Sequence, residues 1–376
     1  MSHRRGLIHR RGLTRRRDLI RRRPRVSRPA PHPGGRARRA PGGARSHAGG
    51  DSTAPPTWGE PVTAVPPPEP PAVPRGAAES GSALPARGGT AAPAGVPNGA
   101  TAAPLPGPPL EVAVFTGSES ARFATSSLIL GQHAAVLVDA QPTRSAGREL
   151  AEWIAGKGRQ LLAVLITHPH PAHYFGAEEV LRLFPQAQVL AAAPVVAAIA
   201  ATAAEKAARW RLEYGDDVPD HPVLPGVLRP QPLLIDRQLI RVLNLGQADC
   251  PDSTVVHVPG SRTVVAGDFA YNGTHVWTAE TTPADRQAWL GNLGRIADLG
   301  VDRVIAGHRA PDHDDDAARV LTFTGEYLRD FDRLLAEHPH DPDVLITAMG
   351  QLYGELTLPT FLTAGAIANT APGGDA

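Results

Sequence analysis

From residue 110 onward, short runs of apolar and β-branched residues alternate with longer segments of helical periodicity. This pattern predicts strands at 111–115, 127–130 and 134–139, a helix from about Ser145 to Ala155, a strand at 161–166, a helix at 177–184 and a strand at 188–191. A long helix over about 195–212 is expected next, with Pro194 near its first turn, where the missing amide hydrogen does no harm. The Gly/Pro/Asp-rich stretch at 215–231 reads as a loop and a candidate pocket wall. Strands at 232–235, 238–244, 253–258 and 262–266 and helices near 284–299, 314–336 and 340–352 complete the pattern. Mixed in this order, the elements suit two sheets packed face to face with helices outside, an α/β fold.

Residues 1–108 differ sharply. They concentrate proline, glycine and alanine with almost no aromatic side chains, so they cannot bury a core and are expected to be a disordered tail. Within the net charge of +1, residues 1–46 carry sixteen arginines and one aspartate, or +15; residues 47–108 carry −2, leaving −12 for the remainder. The basic arm repeats with period six: His3-Arg-Arg-Gly-Leu-Ile, His9-Arg-Arg-Gly-Leu-Thr, Arg15-Arg-Arg-Asp-Leu-Ile. Such a run suits phosphates of nucleic acid or lipid, or docking on the acidic domain. The favoured expectation is an upstream extension that is not part of the working protein, because no base-reading fold or interleaved aromatics accompany it. Met349 is the only other methionine, so a later start would need another initiation codon.

No apolar segment follows the arginines as a secretory signal requires. The most apolar stretch, Val189 to Ala204, is interrupted by Pro194 and reads as strand plus helix, so no membrane span is expected. Cys250 is the only cysteine, which excludes an intrachain disulfide and points to a cytoplasmic location.

The candidate chemistry lies in Val164-Leu-Ile-Thr-His-Pro-His-Pro-Ala-His173, which places three histidines within six residues directly after a buried strand. Imidazole is the commonest protein ligand for zinc and similar ions, and a loop leaving a strand end can turn several ring nitrogens toward one point. A solvated, proline-stiffened loop is the weaker reading.

Thr167-His168-x-His170-x-Ala172-His173 resembles the His-x-His-x-Asp-His signature of the metallo-β-lactamase-fold hydrolases, among them glyoxalase II- and lactonase-like members, with alanine at 172 in place of aspartate. Val264-Val-Ala-Gly-Asp268 resembles the family's metal-bridging aspartate, and Val304-Ile-Ala-Gly-His308 its final histidine. In the loop Gly246-Gln-Ala-Asp-Cys-Pro-Asp-Ser253, Gln247 stands where the resemblance expects a histidine. The resemblance implies a four-layer αββα sandwich over residues 109–312 with a C-terminal helical extension, 313–376, packed on it. It also implies one metal held by His168, His170 and the residue at 247, a second held by the residues at 172, 173 and 308, and Asp268 between them.

Ala172 removes a charged ligand, and the carbonyl oxygen of Gln247 is a weak zinc donor better suited to harder ions. The remaining His168, His170, His173, Asp268 and His308 could hold one ion rather than two, through His173, Asp268 and His308 or through His168, His170 and Asp268. Zinc is the expected ion, with iron or manganese as alternatives. Asp249 and Cys250 are possible local substitutes, or else a solvated loop residue and a small buried thiol.

A zinc-type ion lowers the pKa of bound water towards roughly 7 and polarises a carbonyl, which makes ester, lactone or thioester hydrolysis possible, with Asp268 as the catalytic carboxylate. The resemblance gives Asp139 a supporting role beneath the histidine loop, with a plain turn aspartate as the alternative. Tyr271, Asn272, His275 and Trp277 are candidate pocket residues or packing, while Tyr174 and Phe175 read as core. His257, His313, His338 and His340 carry no expected role. A small-molecule hydrolase is thus the leading reading, and a family member that binds metal or ligand without hydrolysis the alternative. Specific nucleic-acid recognition is not expected, because the roughly 68 residues after His308 leave no room for a nuclease's inserted domain.

Overall fold

The computed structural model describes residues 108–229 and 233–371. The expectations for the N-terminal tail lie outside the described residues.

One sheet has six strands in chain order: β1 (Glu111–Thr116), β2 (Thr125–Leu130), β3 (Ala134–Val138), β4 (Gln160–Ile166), β5 (Gln188–Ala191) and β6 (Gly226–Val227). The other has five, ordered β11 (Arg303–Arg309), β10 (Thr263–Asn272), β9 (Ser253–Val258), β8 (Gln238–Gly246) and β7 (Leu233–Ile235). The first three strands pair antiparallel, and β3, β4, β5 and β6 pair parallel, connected by helices α1 (Arg144–Ala155), α2 (Ala177–Leu183) and α3 (Ala193–Tyr214). In the second sheet β10 and β11 are parallel, joined by α4 (Pro283–Ala297). Helices α5 (Ala317–Glu337), α6 (Pro342–Tyr353) and α7 (Pro359–Thr370) follow.

The period-two side-chain alternation sorts these strands into layers. Ile129, Val136, Val138, Ala163 and Leu165 of the first sheet meet Ile240, Val256, Val258, Val265 and Ile305 of the second in a dry seam. The opposite face of the first sheet, with Leu128, Leu137, Val164 and Ile166, packs on Leu150, Val180 and Ile199 of α1, α2 and α3. That of the second, with Val255, Val264 and Val304, packs on Trp289, Leu328 and Phe331 of α4 and α5. The result is the expected αββα sandwich. In β4 the register steps from Leu161 to Ala163, and the extra residue, Leu162, is turned out to solvent.

Four elements depart from the sequence pattern, the first being β6, a two-residue strand paired with β5 inside the 215–231 stretch expected to be a loop. β10 runs on to Asn272 through two irregularities around Gly267 and Asp268. β11 was legible only as a motif, its apolar run being short enough to suit either strand or helix. α7 was not anticipated, because its Thr- and Gly-containing sequence has little helical propensity and it is held by burial of Phe361, Leu362 and Ala366. The loop after α3 is tied to α1, with Asp217 accepting from the Ser145 backbone and hydroxyl at 2.8 and 2.5 Å and Arg144 pairing with Asp220 at 3.1 Å.

Candidate metal centre

The two sheets are stitched together at the edge where β3, β4, β10 and β11 end. Thr254 donates its backbone N–H and its hydroxyl to the Thr167 carbonyl at 3.0 and 2.8 Å, and the Thr125 hydroxyl donates to the Ala306 carbonyl at 2.6 Å. Two glycines allow the close approach. A Cβ on Gly267, whose φ is +53°, would lie 2.9 Å from Thr167 Oγ1, and one on Gly307 would lie 2.7 Å from the Gly267 carbonyl carbon and on top of the Asp268 carboxylate.

Asp139 is the anchor at the end of β3. Held at φ +62°, it accepts from the Thr167 N–H at 2.9 Å and hydroxyl at 2.8 Å, and its Oδ2 lies 3.0 Å from His173 Nδ1. Every motif histidine is gripped in this way by one ring nitrogen. His168 Nδ1 lies 2.9 Å from Thr167 Oγ1, His308 Nδ1 lies 2.6 Å from the Arg122 carbonyl, and His170 Nε2 lies 3.2 Å from Glu280 Oε2. The other nitrogens face inward. His173 Nε2 is 3.2 Å from Asp268 Oδ1, while His308 Nε2 and His168 Nε2 are 3.4 and 3.6 Å from Asp268 Oδ2. His170 Nδ1 is 2.9 Å from Asp249 Oδ2. Outer partners that fix tautomer and ring orientation are what metal-ligating histidines require.

The structure therefore brings His168, His170, His173, Asp268 and His308 together. Gln247 sits apart in its bonding, its amide donating to the Ala248 carbonyl at 3.0 Å; the residue of its loop that meets His170 is Asp249. Ala172 is buried beside the histidines. Among the described residues, His168, His170, Asp249 and Cys250 form one group able to surround an ion, and His168, His173 and Asp268 another. The donor set fits a divalent ion on a second ground. His168 Nε2 and Asp249 Oδ1 are buried without hydrogen-bond partners, which is costly unless a cation satisfies them, and His173 Nε2 and Asp268 Oδ1 have only each other at 3.2 Å.

The electrostatics point the same way. Burial opposes ionisation of Asp268, but His173, His308 and His168 outweigh it and hold the carboxyl well below the usual range. Burial likewise opposes a charge on His170, yet Asp249 and Glu280 raise it to about 10, and Asp268 and Asp139 raise His173 to about 10. Burial and the neighbouring His173 push His168 down. These carboxylates call for positive charge, which protons supply when no metal does.

Tyr271, a pocket candidate from the sequence, is fully buried; its hydroxyl donates to Asp268 Oδ2 at 3.0 Å, and its ring stacks on His308 with centroids 5.7 Å apart. Asn272 donates to the Asp314 carbonyl at 2.7 Å, and His275 Nδ1 lies 3.0 Å from the Tyr327 hydroxyl, so both are structural. Trp277 donates to Glu280 at 3.2 Å and packs on Phe361. Tyr174 and Phe175 lie in the helix–sheet core. Glu280 and Arg122 carry contacts that sequence reasoning missed, since neither belongs to a motif and Glu280 lies 110 residues from His170.

The metallo-beta-lactamase superfamily profile matches residues 120–308, half the chain, and spans the whole constellation. The chain belongs to the metallo-beta-lactamase superfamily. A Beta-lactamase domain protein from Burkholderia ambifaria is similar in structure, with TM-score 0.50 and 19% identity over 69% of this chain and 84% of that one. A metallo-beta-lactamase family protein from Thermus thermophilus has TM-score 0.48 and 21% identity over 70% and 92%, and a metallo-beta-lactamase from Pontibacter korlensis has 0.44 and 17% over 58% and 99%. At such identities the likeness is one of fold. No curated protein matches the chain. Among the described residues, no helix of this superfamily member is long and apolar enough to cross a membrane.

Proposed function

We propose that the protein is a metal-dependent hydrolase acting on a small ester, lactone or thioester, with one zinc ion as its working complement. The observation that carries this reading is that the inward-facing His168 Nε2 is buried without a hydrogen-bond partner and that His173 Nε2 and Asp268 Oδ1 have only each other, 3.2 Å apart, while each histidine's other nitrogen is held from outside. A bound divalent ion supplies a water of lowered pKa and polarises a carbonyl. His168 and Asp268 would hold it together with His170 on one side or with His173 and His308 on the other, and Asp268 stays ionised. Tyr271 keeps Asp268 oriented through Oδ2. Trp277 bonds Glu280 beside His170, and Phe361 packs on His308, so the C-terminal segment is read as an extension that walls the site. The single buried cysteine suits a reducing, cytoplasmic setting.

Ala172 favours a second reading, a member of the same fold that binds metal or ligand without turnover, because the carboxylate it replaces is a ligand in the intact signature. The deciding experiment is metal content by inductively coupled plasma mass spectrometry, with ester, lactone and thioester hydrolysis assayed beside it, on the protein and on His168→Ala. About one ion per chain and activity, both lost in the variant, support the hydrolase. An ion without turnover favours the second reading, and no ion after zinc, iron and manganese supplementation sinks the hydrolase and leaves a ligand-binding member of the fold without a metal.

A further inference from the structure

Asp249 is the residue that the fold treats most unusually. It is fully buried in the loop between β8 and β9, a loop drawn tight by the Ala248 N–H donating to the Cys250 carbonyl at 3.0 Å and anchored to α4 by Asn292 donating to the Gln247 carbonyl at 2.8 Å. Its Oδ2 lies 2.9 Å from His170 Nδ1 and 3.4 Å from the Tyr271 hydroxyl, whose single proton goes to the nearer Asp268 Oδ2 at 3.0 Å. Its Oδ1 has no partner. A buried carboxylate oxygen left bare is expensive, and a cation is the partner that best repairs it. Ligand atoms of His168, His170, Asp249 and Cys250 lie within 4.8 Å of one another, the span of a single ion's shell.

We propose that Asp249 is a metal ligand, filling with His168 and His170 the place for which the sequence comparison pointed to Gln247; this rests on the metal-centre reading above. The geometry explains how the centre tolerates Ala172. The negative charge lost on the His173 side is restored on the His170 side, so two carboxylates, Asp249 and Asp268, still face the ion, with the Tyr271 hydroxyl close to both. Glu280 belongs to the same arrangement as a positioning residue. By engaging His170 Nε2 it leaves Nδ1, the nitrogen beside Asp249, as the one that turns to the ion. Replacing an imidazole by a carboxylate also hardens the donor set. Manganese(II) should therefore compete with zinc better here than in a variant with histidine at 249.

The test measures zinc and manganese(II) affinity by competition against a chromophoric chelator, with metal content as a check and circular dichroism to confirm folding. The full chain is compared with Asp249→Ala, the near-isosteric Asp249→Asn, Asp249→His, Glu280→Gln and Gln247→Ala. Zinc affinity should fall by about 100-fold in Asp249→Ala and Asp249→Asn, by about tenfold in Glu280→Gln, and stay within about twofold in Gln247→Ala. Asp249→His should recover zinc while lowering the manganese-to-zinc affinity ratio. Unchanged affinity in a folded Asp249→Asn, or a loss confined to Gln247→Ala, overturns the assignment and leaves the metal centre standing. Failure of the unaltered protein to bind either ion overturns the metal-centre reading itself. Cobalt(II) loading adds an independent readout: an intense sulfur-to-metal band that vanishes in Cys250→Ser, together with wild-type affinity in Asp249→Asn, would give the ligand place to Cys250 instead.

Discussion

Asp139 shows how much one residue can carry. Its positive φ is one that aspartate and asparagine tolerate better than most side chains, and its carboxylate ties the Thr167 backbone to the His173 ring. Asp139→Asn keeps the size and the backbone preference but removes the charge that orients His173. Zinc affinity should fall by about 10- to 100-fold with the fold intact, as chelator competition and circular dichroism would show; affinity equal to the parent's would remove Asp139 from the support of the centre. His275 makes a different prediction, about stability. Burial pushes its pKa down to about 4, below the ordinary 6.5, so between those values the unfolded chain binds the extra proton. The contribution of neutral His275 is complete above about pH 6.5 and is lost as pH falls towards 4. Between pH 7 and 5 the protein should lose about 2 kcal/mol more than His275→Gln in urea unfolding. Parallel losses would mean that His275 is not held neutral.

Among the elements, β10 and β11 are where local geometry and the site meet. Their parallel pairing breaks register around Gly267 and Asp268, and Gly307 opposite has no room for a side chain. Gly307→Ala should destabilise the protein by more than about 3 kcal/mol or prevent its accumulation. Gly291 in α4 is exposed with nothing near its Cβ position, so Gly291→Ala should stabilise by about 0.5–1 kcal/mol. Chemical denaturation reads both, and the same sign for the two substitutions would contradict this account of the glycines. Helix α4 begins at Thr282-Pro-Ala-Asp285, where the Thr282 and Asp285 side chains cap each other's backbone N–H groups. β11 and α7 were less legible, the first because an apolar run of a few residues fits two periodicities, the second because its helicity comes from burial.

At the scale of the whole molecule, the centre joins both sheets and their outer helices. An ion held as proposed by His168 and Asp268 would link the end of β4 to β10 and so couple metal binding to global stability. Saturating zinc at about 100 times its Kd should add about 2.7 kcal/mol, raising Tm, and chelation should reverse it. His168→Ala should show neither effect in differential scanning calorimetry. A zinc-induced rise that survives in that variant would place the bound ion elsewhere.

Most of the strands and helices, the strand faces that form the dry seam between sheets and the delivery of His168, His170 and His173 from the end of β4 were written in local patterns, while Asp268 and His308 were marked by their motifs. Period-two alternation dictates which strand face is buried, and a motif of consecutive residues travels with its strand. Which side chain of the 246–253 loop turns inward was not written there, because a loop has no periodicity to orient it. Its direction is decided by the anchor from Asn292 on α4, and it selects Asp249 over Gln247. The grip of Glu280 on His170 and of the Arg122 carbonyl on His308 likewise spans 110 and 186 residues of chain. Only the packing of two sheets against each other creates such contacts, since they depend on distances in space that no local sequence pattern encodes.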